Sequence, residues 1–224
     1  MEKKGKTSKI ALVFLITGLH FLLGPGILYL FREIGIPVYS VEAISDRPGS
    51  FLMQTLLLSA YSFLLMGIAA GKLKKEFPDA MGLRVHGRLQ WTWLAVLAAL
   101  FAIEFLIGIR KNQNFFYLLF SLLYYMAAIG ITEEFVIHGL CVYLLRDLPW
   151  TVKYLLPNFL FAMLHVLAFN GFAPLGWTVV WDFLRSQMPI LLASGCCLQL
   201  IKDRTGTLWV PILLHGFIDF FGRI

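Results

Sequence analysis

The chain is predicted to be all-α, a polytopic transmembrane helix bundle of about seven spans. Three observations predict it. Hydrophobic residues make up 59% of the 224, against about 45–50% in soluble domains. Charged residues are 14%, where about 25% is usual. The apolar residues also gather into seven runs with short polar stretches between them. A soluble domain of this length could not hide that much apolar surface in one core, and the mean hydropathy of +0.77 agrees.

A helix needs about 20 apolar residues to cross a hydrocarbon core of about 30 Å. The first run, residues 10–31, follows Lys3, Lys4, Lys6 and Lys9. It is longer than the ~7–15 residues of a signal-peptide core and no A-x-A site follows, so an uncleaved first span is expected. Residues 51–71 and 91–109 have spanning length. The fourth run, 115–145, is long enough to tilt or to project beyond the membrane. The fifth covers 152–169. The sixth, 179–201, carries Asp182 and Arg185 early, three residues apart and expected to pair on one helix face. The seventh, 208–221, is the shortest and must begin near Gly206 or cross a thinned site.

A net charge of +6 and a pI near 9.3 would suit a nucleic-acid partner, but the cations flank the apolar runs and set orientation instead. With a cytoplasmic N-terminus and seven crossings, most of the 19 Lys and Arg fall inside: the N-terminal lysines, Lys72, Lys74, Lys75, Arg84, Arg88, Arg146, Lys153, Lys202 and Arg204. Arg32, Arg47, Arg110, Lys111 and Arg223 fall outside. An integral protein of the cell membrane is expected, as one continuous domain with a three-span region at 1–112 and a core at 113–224. Cys141, Cys196 and Cys197 lie in apolar stretches, odd in number and without CxxC spacing, and read as reduced thiols.

In a bilayer the informative residues are the ionisable ones, because an acid at a helix centre costs about 2.5–3.5 kcal/mol on insertion scales. The apolar runs hold Glu104, Glu133, Glu134, Asp182 and Asp219, with His20, His138, His165 and His215. Glu134 and His138 are four residues apart and share a face of span four, with Glu133 about 100° round the helix. Asn158, Phe161 and His165 form an i, i+3, i+7 stripe on span five, and His215 and Asp219 are i, i+4 on span seven. A rise of ~1.5 Å per residue brings Glu133, His165, His215 and Asp219 to similar depths, so one site between spans four, five and seven is expected. Glu104 is expected to make a hydrogen bond to a neighbouring helix. His20, beside Gly24, Pro25 and Gly26, reads as a packing or kink residue, and Glu134 with His138 as a buried pair.

Glu133-Glu134-Phe-Val-Ile-His138-Gly139 resembles the EExxxR-G signature of the CPBP (Abi, or CAAX-protease and bacteriocin-processing) family of intramembrane proteases. Phe161-Ala-Met-Leu-His165, with Asn158 upstream, is similar to its FxxxH motif. The stretch from Gly206-Thr-Leu-Trp209 to His215 and Asp219 is similar to its closing HxxxN-type motif. The resemblance covers about residues 113–221. His138 stands where the family has Arg, and Asp219 where Asn is commoner.

The resemblance implies an endopeptidase acting on a peptide or protein at the membrane, lipidated or bacteriocin-like, among membrane lipids and without nucleic acid. It implies Glu133 as general base, His165 holding the water, and His215 and Asp219 orienting it or stabilising the oxyanion. Glu134 counts with this catalytic set, supported by His138, Asn158 and Phe161. Glu133, His165, His215 and Asp219 are also donors that Zn²⁺ takes, so a metalloprotease and a metal-free glutamate hydrolase are both open. HExxH, GxSG and GxGD are absent. A non-catalytic immunity or scaffold protein on the same fold, and a small ion-coupled transporter, are the alternatives.

Overall fold

The computed structural model describes residues 2–39, 41–44, 46–169 and 176–221. Arg223 and the side chains of Lys3, Lys4 and Pro25, used in the charge and kink readings, lie outside the described residues. Every regular element among the described residues is helical. The chain runs through α1 (Glu2–Glu33), α2 (Pro48–Leu73), α3 (Arg88–Arg110), α4 (Phe115–Leu144), α5 (Trp150–Leu164), α6 (Trp177–Ser186), α7 (Met188–Thr205) and α8 (Trp209–Phe221).

Four helical segments are long and apolar enough to cross a membrane: Lys6–Glu33, Pro48–Met81, Arg88–Arg110 and Phe115–Leu144. The bent pair α6 and α7, at 47°, counts as a fifth if it is one span. Seven apolar runs therefore become four or five spans of full length. The last run shows why: α8 is a 13-residue helix, rising about 20 Å where the hydrocarbon core is about 30 Å.

Local chemistry sets the helix ends. Asn114 caps α4, its side chain accepting from the amides of Phe116 and Tyr117 at 2.8 and 3.2 Å. Gly206 ends α7 in the left-handed region, at φ +71, with its amide bonded to the Lys202 carbonyl. Two π segments, Tyr124–Ile131 and Phe135–Cys141, interrupt α4 and flank the short α turn Thr132–Glu134. Such π segments widen the helix locally and often mark functional positions.

One end of the bundle gathers the segments that the charge pattern places together. Lys9 on α1 meets Asp147, between α4 and α5, at 2.5 Å. That hydrogen bond holds the exposed Asp147 carboxyl below the usual carboxylate range. Gln90 donates to the Thr205 carbonyl at 2.7 Å, the Leu208 amide to the Gly82 carbonyl at 2.6 Å, and the Trp209 indole to the Leu83 carbonyl at 2.8 Å.

Close backbone packing joins the helices that hold the polar residues. A Cβ on Gly216 of α8 would lie 2.9 Å from Met126 Sδ and 3.0 Å from the Tyr125 carbonyl of α4. A Cβ on Gly130 of α4 would lie 2.8 Å from the Ile212 carbonyl of α8. Small residues are what let two membrane helices approach this closely. The apolar core around Phe135, Ile137, Phe161 and Ile212 lies beside this seam and takes in Val13 and Ile16 of α1.

Asp182 and Arg185 do not pair among the described residues. The Arg185 guanidinium lies 4.6 Å from the Trp181 ring centroid, a cation–π contact one turn back along its own helix. Glu104 is buried, yet no hydrogen bond joins it to another described residue, contrary to the expected contact between helices.

Candidate active site

The three polar stripes converge. His215 on α8 places Nδ1 2.9 Å from Glu134 Oε1 on α4. Its Nε2 is 3.9 Å from Glu133 Oε2 and 3.7 Å from Asp219 Oδ2. On α5, Phe161 brings its ring to 6.3 Å from that of His215 and 4.5 Å from that of His165. The helices α4, α5 and α8 thus bring Glu133, His165, His215 and Asp219 to the wall of one cavity.

The histidine tautomers follow from their partners. His165 Nδ1 is 2.7 Å from the Phe161 carbonyl oxygen, which can only accept, so Nδ1 carries the proton. That leaves Nε2 as the nitrogen turned to other partners. His215 Nδ1 donates to Glu134 in the same way, leaving Nε2 toward Glu133 and Asp219.

Glu134 and His138 lie behind the site. Both are fully buried, and neither lines the cavities that Glu133 shares. His138 Nδ1 is 2.5 Å from Glu134 Oε2, and its Nε2 is 2.9 Å from Asn158 Oδ1. The Asn158 amide is oriented by its donation to the Tyr154 carbonyl at 2.7 Å, so its oxygen must accept from His138 Nε2. A single further proton lies between His138 Nδ1 and Glu134. When Glu134 is ionised, His138 is an imidazolium donating from both nitrogens. It then makes the two contacts expected of a cation beside Glu134, and Glu134 spends both oxygens on two histidines.

Glu133 is placed differently. Its Oε2 is buried and has no hydrogen-bond partner among the described residues. It lines a cavity of about 970 Å³ with His165, His215, Asp219 and residues of α7. A buried carboxylate oxygen of this kind is costly unless a ligand or water satisfies it. Glu133, His165, His215 and Asp219 are the donor types that Zn²⁺ takes. As they lie, no group of three or more His, Cys, Asp or Glu among the described residues is close enough to hold an ion.

Two contributors were not legible in the motifs. Lys202, counted as a loop cation, sits on the last turn of α7 and sends Nζ back to the His138 carbonyl. Gly195 of α7 lies against Asn158, where a Cβ would come within 2.5 Å of Oδ1. The run of small residues Ala193-Ser194-Gly195 is the only sequence sign of that approach.

A comparison with protein-family models matches residues 114–221 to the type II CAAX prenyl endopeptidase Rce1-like family. No curated protein and no solved structure gives a significant match. The matched segment begins at the Asn114 cap and ends with α8. It contains every residue of the site, and α1, α2 and α3 lie outside it.

Proposed function

On the premise that residues 114–221 belong to the CPBP/CAAX protease family, we propose that the chain is an intramembrane endopeptidase with Glu133 as its general base. A protease family implies a peptide or protein substrate, here one delivered at the membrane and of lipidated or bacteriocin-like type. The observation that carries the reading is Glu133 Oε2, a buried carboxylate oxygen without a hydrogen-bond partner among the described residues, on a side chain that lines the largest of the cavities described together with both histidines.

The chemistry is hydrolysis. A water between Glu133 and His215 gives a proton to Glu133 while its oxygen bonds to the scissile carbonyl carbon. The 3.9 Å from Glu133 Oε2 to His215 Nε2 is too long for a direct hydrogen bond and suits a bridging water. His165 Nε2 accepts from that water and fixes its approach. As an imidazolium, His215 donates from Nδ1 to Glu134 and from Nε2 to the developing oxyanion, a stabilisation stronger in a dry cavity than in water. The C–N bond then breaks, and the leaving nitrogen takes the proton from Glu133. Glu134, His138 and Asn158 hold His215 and the helices in place and do not touch the substrate. Zn²⁺ bound to Glu133, His165, His215 and Asp219 would supply Lewis-acid activation of the same water.

The test is Glu133→Gln, which keeps size and removes the base. Peptide cleavage should disappear while expression and membrane insertion persist. Full cleavage by this variant would refute the mechanism. The scaffold reading drew on His138 in place of Arg, and the contacts of His138 with Glu134 and Asn158 weaken that ground.

A further inference from the structure

Glu133 and His165 line a second cavity, of about 260 Å³, on the side facing α1 and α2. Its polar lining comes from His20 of α1, from Thr55, Ser59 and Ser62 of α2, and from Thr132 of α4. His20 Nδ1 is hydrogen-bonded to Ser62 Oγ at 2.9 Å. Phe21, the next residue, sets its ring 5.0 Å from that of His165. The pair Glu133 and His165 therefore stands between two chambers, one shared with His215 and Asp219 and one with His20 and Ser62. Half of the lining of the second comes from helices outside the family match.

We propose that the chamber between α1, α2 and α4 is the water compartment of the site. Its ligand is water, which it supplies to Glu133 from the side opposite the substrate, with His20 as a positioning residue held by Ser62. The inference rests on the hydrolase reading. Each cleavage consumes one water, its OH going to the acyl carbon and its hydrogen to the leaving nitrogen. A peptide filling the larger chamber closes that route, and the hydrocarbon core offers no water. The smaller chamber has room for on the order of eight waters at ~30 Å³ each, and a buried water needs two to four polar partners. The hydroxyls and imidazoles supply them. With Nδ1 on Ser62, His20 Nε2 is the nitrogen available to a water.

Two measurements test this. Ser59→Leu and Ser62→Leu fill the chamber without altering Glu133, His165 or His215. Both should lower kcat about tenfold or more with KM unchanged, the signature of a lost step after binding. Ser62→Ala, which frees His20 but keeps the space, should fall between them and the parent. A raised KM with unchanged kcat would overturn the proposal and make the chamber a substrate pocket.

The second measurement needs no turnover. In the Glu133→Gln chain with Cys196 and Cys197 replaced by alanine, Ser59→Cys should react in membranes with 2-aminoethyl methanethiosulfonate, a small reagent that attacks hydrated thiolates. Absence of labelling in folded protein would overturn the water compartment. If Glu133→Gln itself cleaves, the assignment of Glu133 as general base fails, and if the parent cleaves no peptide the hydrolase reading fails, while the labelling still reports on the chamber.

Discussion

His215 hydrogen-bonds Glu134 and not the adjacent Glu133: its Nδ1 is 2.9 Å from Glu134 Oε1, while its Nε2 stands 3.9 Å from Glu133 Oε2. Two neighbouring carboxylates thereby take different tasks. Glu134 accepts from two histidines and is fully buried. Glu133 keeps a buried oxygen with no hydrogen-bond partner among the described residues.

Glu133→Gln and Glu134→Gln should therefore fail in different ways. The first should lose cleavage by about 10²–10⁴-fold, the usual contribution of a general base, with its melting temperature in detergent unchanged. The second replaces one accepting oxygen with an NH₂ group, which faces a histidine N–H. Leaving such a buried group unsatisfied costs about 1–3 kcal/mol, so a lowered melting temperature should accompany any loss of cleavage. Thermal melts beside single-turnover assays separate the two.

His138→Ala removes one ring from between Glu134 and Asn158. Breaking a buried charged pair from one side costs about 3–5 kcal/mol. For a chain of this size that is a fall of roughly 10 °C in melting temperature. Asn158→Leu should cost less, because it leaves the Glu134 contact intact. A His138→Ala protein that melts with the parent would show that the Glu134–His138 contact does not hold the helices.

The sequence alone singled out Glu133, His165, His215 and Asp219, which line one cavity, because charge is scarce in apolar runs and each such residue is conspicuous. It also placed the cationic segments at one end, which the contacts of Lys9 with Asp147 and of Gln90 with Thr205 now join. It could not say which glutamate His215 would choose. The two glutamates stand on a short α turn between two π segments of α4, and no hydrophobic period announces a π turn. Nor could it tell that Lys202 folds back to His138, since a cation at the end of an apolar run looks the same whether it snorkels outward or inward. Span length left α8 undecided for a related reason: a short helix packed in protein needs no lipid-matched length.

Gly216→Val tests the seam that sets the His215 position. The added side chain would meet Met126 and the Tyr125 carbonyl within 3.0 Å, and overpacking of this kind costs about 1–3 kcal/mol. Relief by moving α8 would carry His215 away from Glu134. Cleavage should fall more than stability does, read as kcat against melting temperature. Gly195→Ala should act on α5 instead, because its Cβ would press on Asn158 Oδ1.

The charge pattern predicts a cytoplasmic location for the end that holds Lys9 and Asp147. Single cysteines at Lys6, Arg84 and Arg146, in a chain with the native cysteines replaced, should react with a membrane-impermeant maleimide only after the cells are opened. Cysteines at Ile36 and Gln113 should react in intact cells. The reverse pattern would invert the chain without disturbing the site, since the contacts that gather this end do not depend on which side it faces.

Metal dependence follows from the placement of the four donors. His165 and His215 each hold Nδ1 on a carbonyl or carboxylate, the arrangement that leaves Nε2 for a metal when the ring is neutral. Yet Glu133 and Asp219 stand 3.9 and 3.7 Å from His215 Nε2, and no group of three described side chains is close enough to hold an ion. Glutamate chemistry is the expectation, so 1,10-phenanthroline should leave cleavage by the purified protein intact. A stoichiometric metal in elemental analysis, lost in both His165→Ala and His215→Ala, would reverse this. It would mean that Glu133, His165, His215 and Asp219 move together to hold the ion, as their donor types allow.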